Sequence, residues 1–335
     1  MSHFKPAVFA CLISLLILPA LLSSSCAGTA ISYKPSGLPE LIAFTSNRDK
    51  AMHIYTVKPD GTDIRSTSSD NRTADYLSVW SPDGTSIAFS SNQSDNYEIW
   101  TMNADGSDRK KLTNRSGWDG LPRWSTDGLK IVFVGVVLNT EGVSNLEIFI
   151  VNSDGSGLQQ LTDSSTWDTH TESTAAESGD SHNEKAAWNS VPTWSPDGSK
   201  IVFGTNRDGD GIMPILYTMN PDGSDQKKFG LFADADGSEP DWSPVTNKIV
   251  FVRGSAAKGD IWVMDASSPL PLLTAKKVSD NIDNNRSPVW SPDGTQIAFV
   301  SDTYGNNNIF IMNADGSNVR RVTSDKSADI YPSWR

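Results

Sequence analysis

Two groups of side chains in this sequence have the chemistry to hold a ligand or a metal ion. The first lies in residues 163–190, where Trp167, His170, Glu172, Asp180, His182, Glu184 and Trp188 fall close together. Imidazole and carboxylate suit several divalent ions, but the spacing matches no defined metal motif. Ser, Thr, Glu and Ala fill the middle of the segment, a composition that equally suits a solvated loop. Together with Trp118, these residues form the candidate face for a protein, peptide or cell-envelope ligand. The second group is periodic. Asp75, Asp119, Asn189, Asn285 and Asp329 each stand five residues before a tryptophan, and Asp236 sits one step out of that register. A ring of hard oxygens at the mouth of a channel would suit calcium; the alternative is that each Asp or Asn caps its own connecting loop. Nucleophilic catalysis has little to work with, because no G-x-S-x-G elbow is present and Cys11 and Cys26 are the only cysteines.

The elements that must position these groups can be read from the tryptophans. Trp80, Trp124, Trp194, Trp242, Trp290 and Trp334 recur at about 44 to 48 residues, except for one gap lengthened by the 163–190 insertion. That period is the repeat length of a β-propeller blade. Ser81-Pro82-Asp83-Gly84 is a tight turn in which proline presets φ and glycine takes the positive φ that follows. The turn recurs at residues 195–198 and 291–294, Thr126 replaces the proline in a further copy, and Pro244-Val245-Thr246-Asn247 lacks the glycine, which predicts the least ideal hairpin there. Each turn leads to a compact apolar strand, such as Ile87-Ala88-Phe89 or Ile201-Val202-Phe203, of the kind that is buried on both faces. A third strand, a second glycine hairpin such as Asn103-Ala104-Asp105-Gly106, and a short fourth strand complete the unit. The cations Arg109-Lys110-Lys111, Lys227-Lys228 and Arg320-Arg321 fall on that fourth strand, where an exposed edge uses them against strand addition.

The first repeat begins at Leu41-Ile42-Ala43-Phe44 with no inner strand of its own, and the chain ends in Asp329-Ile330-Tyr331-Pro332-Ser333-Trp334, an inner strand without successors. The expected fold is therefore all-β: a six-bladed β-propeller of four-stranded antiparallel blades, its ring closed by the C-terminal strand pairing with the N-terminal three. The WSPDG and IAF/IVF segments resemble the propeller domain of the TolB family, also described as WD40-like or PD40 repeats, over residues 39–335. TolB itself carries a smaller α/β domain ahead of its propeller, which residues 27–38 are too short to hold. The resemblance implies binding at the ring faces and axial channel, and the variable-loop face is the expected site because the hairpins of the other face are uniform.

Residues 1–26 read as an export signal, with Lys5 before an apolar run from Val8 to Leu22 too short to be a spanning helix. The run ends in Leu22-Ser23-Ser24-Ser25-Cys26, which resembles a lipoprotein signal, and with no partner for a disulfide the expected fate of Cys26 is acylation; a plain cleaved signal is the alternative. Residues 27–38 then form a tether. A net charge of −12 argues against nucleic acid, whose phosphates call for a basic face. The expectation is an exported, lipid-anchored monomer of the cell envelope that touches the membrane only through its anchor and binds a ligand without a cofactor. The alternative is a metal-dependent propeller enzyme, a lyase or hydrolase acting on carbohydrate at the channel mouth, with calcium as the candidate ion.

Overall fold

A computed structural model describes residues 37–67, 73–138, 140, 142–164, 189–207, 214–229, 237–255, 258–279 and 283–335. Six four-stranded antiparallel sheets are arranged in order around a channel. The inner strands are Asp75–Trp80, Asp119–Trp124, Asn189–Trp194, Ser238–Trp242, Asn285–Trp290 and Asp329–Trp334. In the first blade Asp329–Trp334 pairs with Ile42–Ser46, matching Ile42 with Trp334 and Ser46 with Asp329. Backbone bonds between Leu41 and Arg335 extend this ladder to the last residue. The ring is thus fastened inside a blade, as the sequence predicts.

The apolar second strands explain why the sheets stack. Each contributes one fully buried phenylalanine, Phe44, Phe89, Phe133, Phe203, Phe251 or Phe299. The buried side chains fall into six clusters, and each joins two neighbouring blades. No blade buries its own apolar face alone, so the stability of each depends on its neighbours and on closure of the ring. The outer strands are two residues long, as at Lys110–Lys111 and Lys227–Lys228, which keeps every free edge short, and all but Gln159–Gln160 carry a cation.

Four hairpins close with the bond that the turn sequence demands, from the glycine N–H to the serine carbonyl three positions earlier, as from Gly84 to Ser81. In the Ser243 hairpin the Thr246 N–H instead reaches the Ser243 hydroxyl, at 3.2 Å. The missing glycine therefore changes the closure and leaves the hairpin intact.

One repeated feature has no signature in the hydrophobic pattern. Every inner strand carries a register shift against its neighbour. At its centre one non-glycine residue adopts positive φ: Leu77 (58°), Leu121 (55°), Val191 (42°), Glu239 (51°), Ser287 (50°) and Tyr331 (54°). In five blades the next residue is a proline, which has no N–H to lose from the ladder. The bulge bends the strand and turns these six side chains toward the axis, where all of them line a cavity.

Candidate functional site

Each inner strand ends in its tryptophan just before a hairpin, so six-fold repetition brings six indoles to one mouth of the channel. They surround a cavity of about 250 Å³, whose rim carries Pro82, Pro196, Pro244 and Pro292, with Thr126 at the fifth hairpin. The first blade has no hairpin after Trp334. Its place is taken by Leu38, Pro39 and Glu40 and by Arg335, whose guanidinium lies 4.1 Å from the Trp80 ring and donates to the Gly84 carbonyl.

The preceding blade positions several of the indoles. The Trp194 indole N–H reaches the Arg123 carbonyl at 3.4 Å, and that of Trp290 reaches the Asp241 carbonyl at 3.2 Å. The side chain before the tryptophan also holds the main chain of the next blade: Ser333 Oγ accepts from the Trp80 N–H at 3.0 Å, and Asp241 Oδ2 from the Trp290 N–H at 2.8 Å. Trp80, Trp194 and Trp290 are therefore tied to a neighbouring blade as well as to their own, which fixes that part of the cavity wall.

Below the indoles, Arg123, Thr193 and Asp241 form the floor. A second cavity of about 180 Å³ lies deeper in the channel, lined by the six bulge residues, and Arg123, Val289 and Pro332 border both. Arg123 is half-buried, and its desolvation lowers its pKa against the opposing pull of Asp241 and Glu239. Burial likewise pushes the Asp241 carboxyl up to about 6, opposed by Arg123 and by the Trp290 N–H.

The periodic Asp and Asn residues take a different position from a channel-mouth ring. Asp75, Asp119, Asn189, Asn285 and Asp329 are fully buried, and none of them borders either cavity. The aspartates turn into their blades and meet arginines: Asp75 pairs with Arg109 at 2.8 Å, Asp119 with Arg115, and Asp329 with Arg48 at 2.9 Å. Each arginine in turn lies over a core aromatic, Phe89, Phe149, and Phe44 with Tyr55 respectively. Asn189 donates to the Leu146 carbonyl and to Glu147, and Asn285 to the Asp283 carbonyl. A buried carboxylate requires a partner, and here the fold supplies arginine. Gly135 belongs to this arrangement, since a Cβ there would stand 2.0 Å from the Arg115 guanidinium and 2.7 Å from Asp119 Oδ1. Among the described residues no three His, Cys, Asp or Glu side chains converge to hold a metal ion. Asp236 lies outside the described residues. Arg109, read from the sequence as an edge cation, is instead the partner of Asp75.

Of the candidate ligand face, Trp118 is described: its indole N–H donates to Tyr76 Oη at 2.9 Å, and Tyr76 meets Tyr97 edge-on at 4.9 Å. Trp167, His170, Glu172, Asp180, His182, Glu184, Trp188 and Cys26 lie outside the described residues. Sequence reasoning missed Arg123, Asp241 and Glu239, although their departure from the apolar or hydroxyl residues at matching positions of other blades was a usable signal.

The buried acids give stability a pH dependence. Burial pushes the Asp119 carboxyl up to about 7, with the charge of Glu98 adding and Arg115 and Thr113 opposing. The folded chain thus keeps a proton that an unfolded aspartic acid releases near pH ~3.9, so stability is full below that value and falls as pH rises toward 7. Asp241 acts in the same direction. The melting temperature is expected to be higher at pH 5 than at pH 8, and Asp119→Asn should flatten the difference in thermal unfolding followed by circular dichroism.

With the geometry established, comparison with known proteins places the fold. The family described as TolB beta propeller domain matches residues 239–335. An uncharacterised protein of Agrobacterium fabrum is 33% identical over 90 residues, which span 26% of this chain and 29% of that protein. TolB from Acinetobacter baumannii superposes with a TM-score of 0.66 at 19% identity, covering 88% of this chain and 66% of that one. A structure described as putative TolB from Agrobacterium tumefaciens gives 0.56 at 18% identity, covering 88% and 90%. The repeats, the blade count, the closure and these likenesses agree that the chain folds as a six-bladed β-propeller similar to that of TolB, with the TolB beta propeller domain matched over residues 239–335.

Proposed function

We propose that this chain is a non-catalytic binding module of the cell envelope, exported and lipid-anchored through Cys26, which takes a protein or peptide segment into the tryptophan-lined mouth of its channel. The observation that carries this reading is the convergence of six indoles and four prolines on one concave cavity. Ligand sites are concave and mostly apolar, with few polar groups, and tryptophan dominates binding energy where it is rigidly presented. This assigns the ligand to the hairpin face instead of the variable-loop face expected from sequence. Trp118 then lies at a connection of the other face.

The test is capture of a partner from a solubilised envelope fraction by the immobilised chain. Trp124→Ala and Trp242→Ala, at two half-buried positions of the wall, should each weaken capture by about 30-fold, the effect of removing a binding hot spot. Deleting residues 165–188 should leave capture unchanged. The opposite pattern would return the ligand to the variable loops.

A further inference from the structure

The channel wall repeats from blade to blade except in one layer. Before the six tryptophans stand Val79, Arg123, Thr193, Asp241, Val289 and Ser333, so charge appears only in the third and fifth blades. The local fold does not call for it. Ser333 and Asp241 both accept the main-chain N–H of the next tryptophan, at 3.0 Å and 2.8 Å, and a hydroxyl serves that purpose without charge. Enclosed ions are unfavourable unless paired, and a fold that breaks its own repeat at such a cost commonly does so at a functional site. Asp241 and Glu239 are the acids whose charges act on Arg123, whose guanidinium donates to the Pro122 carbonyl at 3.0 Å, and Arg286 and Tyr331 lie on the Glu239 side. Glu239 borders only the deeper cavity, whereas Arg123 and Asp241 both border the funnel. Seen from the tryptophans, the floor therefore offers one guanidinium and one carboxylate, while the other charged side chains of the funnel, Glu40 and Arg335, stand at its rim.

We propose that Arg123 and Asp241 determine the specificity of the funnel, and that they select a ligand tip bearing an uncharged primary amide, as in Asn or Gln, over one bearing a carboxylate or an ammonium. This rests on the funnel being the binding site. An amide oxygen accepts from Arg123 while its N–H donates to Asp241, so both floor groups gain a partner and no net charge enters the enclosure. A carboxylate tip suits Arg123 but repels Asp241; an ammonium tip suits Asp241 but repels Arg123. Each mismatch opposes binding through the like charge that it faces. The indoles and prolines take the apolar remainder of the ligand.

The experiment uses the full chain and three capped peptides, acetyl-Pro-Leu-Gln-N-methylamide and its Glu and Lys counterparts, in which Gln alone supplies a primary amide, with intrinsic tryptophan fluorescence as the readout. Wild type should bind the Gln peptide about ten-fold or more tightly than the other two, the range of a hydrogen bond to a charged group. Asp241→Asn, which keeps an acceptor for the Trp290 N–H, should shift preference toward the Glu peptide by a similar factor. Arg123→Met should shift it toward the Lys peptide. Equal binding of the three peptides by wild type, or ratios unmoved in both variants, would overturn the amide reading while leaving the funnel in place. Absence of binding by all three, or binding that survives Trp124→Ala unchanged, would overturn both. The wild-type comparison decides the matter even if either variant fails to fold.

Discussion

Removing residues 329–335 is expected to abolish cooperative unfolding of the ring. Those residues supply the inner strand of the first blade, bury Trp334 in the cluster that joins the first blade to the sixth, and hold the Trp80 N–H of the second through Ser333. Loss of a buried tryptophan alone costs about 3–5 kcal/mol, and the strand adds a backbone ladder and the Asp329 ion pair, against a whole-domain stability of about 5–15 kcal/mol. The truncated chain should show no sharp thermal transition by circular dichroism, and a peptide of residues 327–335 added in excess should restore one. A transition like that of the full chain would mean that five complete blades and a partial sixth suffice.

The second large effect is expected at Arg48. Asp329 has no exposed side-chain surface, and Arg48 is its partner while also reaching Asp325 at 3.1 Å. Arg48→Met should destabilise the chain by about 3–5 kcal/mol, because it leaves a buried carboxylate without its cation. Asp329→Asn in the same chain should recover most of that loss, since the charge that needed a partner is gone. A double-mutant cycle from chemical denaturation measures both quantities. If the two losses simply add, the pair is not coupled, and burial of Asp329 is tolerated for another reason.

The number of blades and the closure of the ring were legible because they depend on local chemistry that repeats: a tryptophan, a Ser-Pro turn and an apolar strand at fixed distances. The partners of the buried aspartates were not legible. Arg48 comes from the connection after the second strand, Arg109 from the outer hairpin and Arg115 from the link between blades, so no constant spacing relates acid to base. The bulges were hidden for another reason. Leu77, Val191 and Tyr331 are ordinary strand residues by type, and only the backbone reveals that they point to the axis. The funnel drew no notice in the sequence because uniform hairpins look like framework when read along the chain. Around a rotation axis, however, the same side chain repeated six times becomes one continuous wall, and the charged exceptions at Arg123 and Asp241 stand out against it.

The bonding of Leu41 to Arg335 and the place of Leu38, Pro39 and Glu40 on the rim set both ends of the described chain beside the cavity. A ligand peptide fused after Arg335 will act as a tethered competitor, at an effective concentration of the order of millimolar for a short flexible linker. Affinities measured on protein carrying such a fusion should therefore come out too weak. A label inserted near Tyr304, an exposed residue in a connection between second and third strands at the opposite mouth, would leave the indoles open to their ligand.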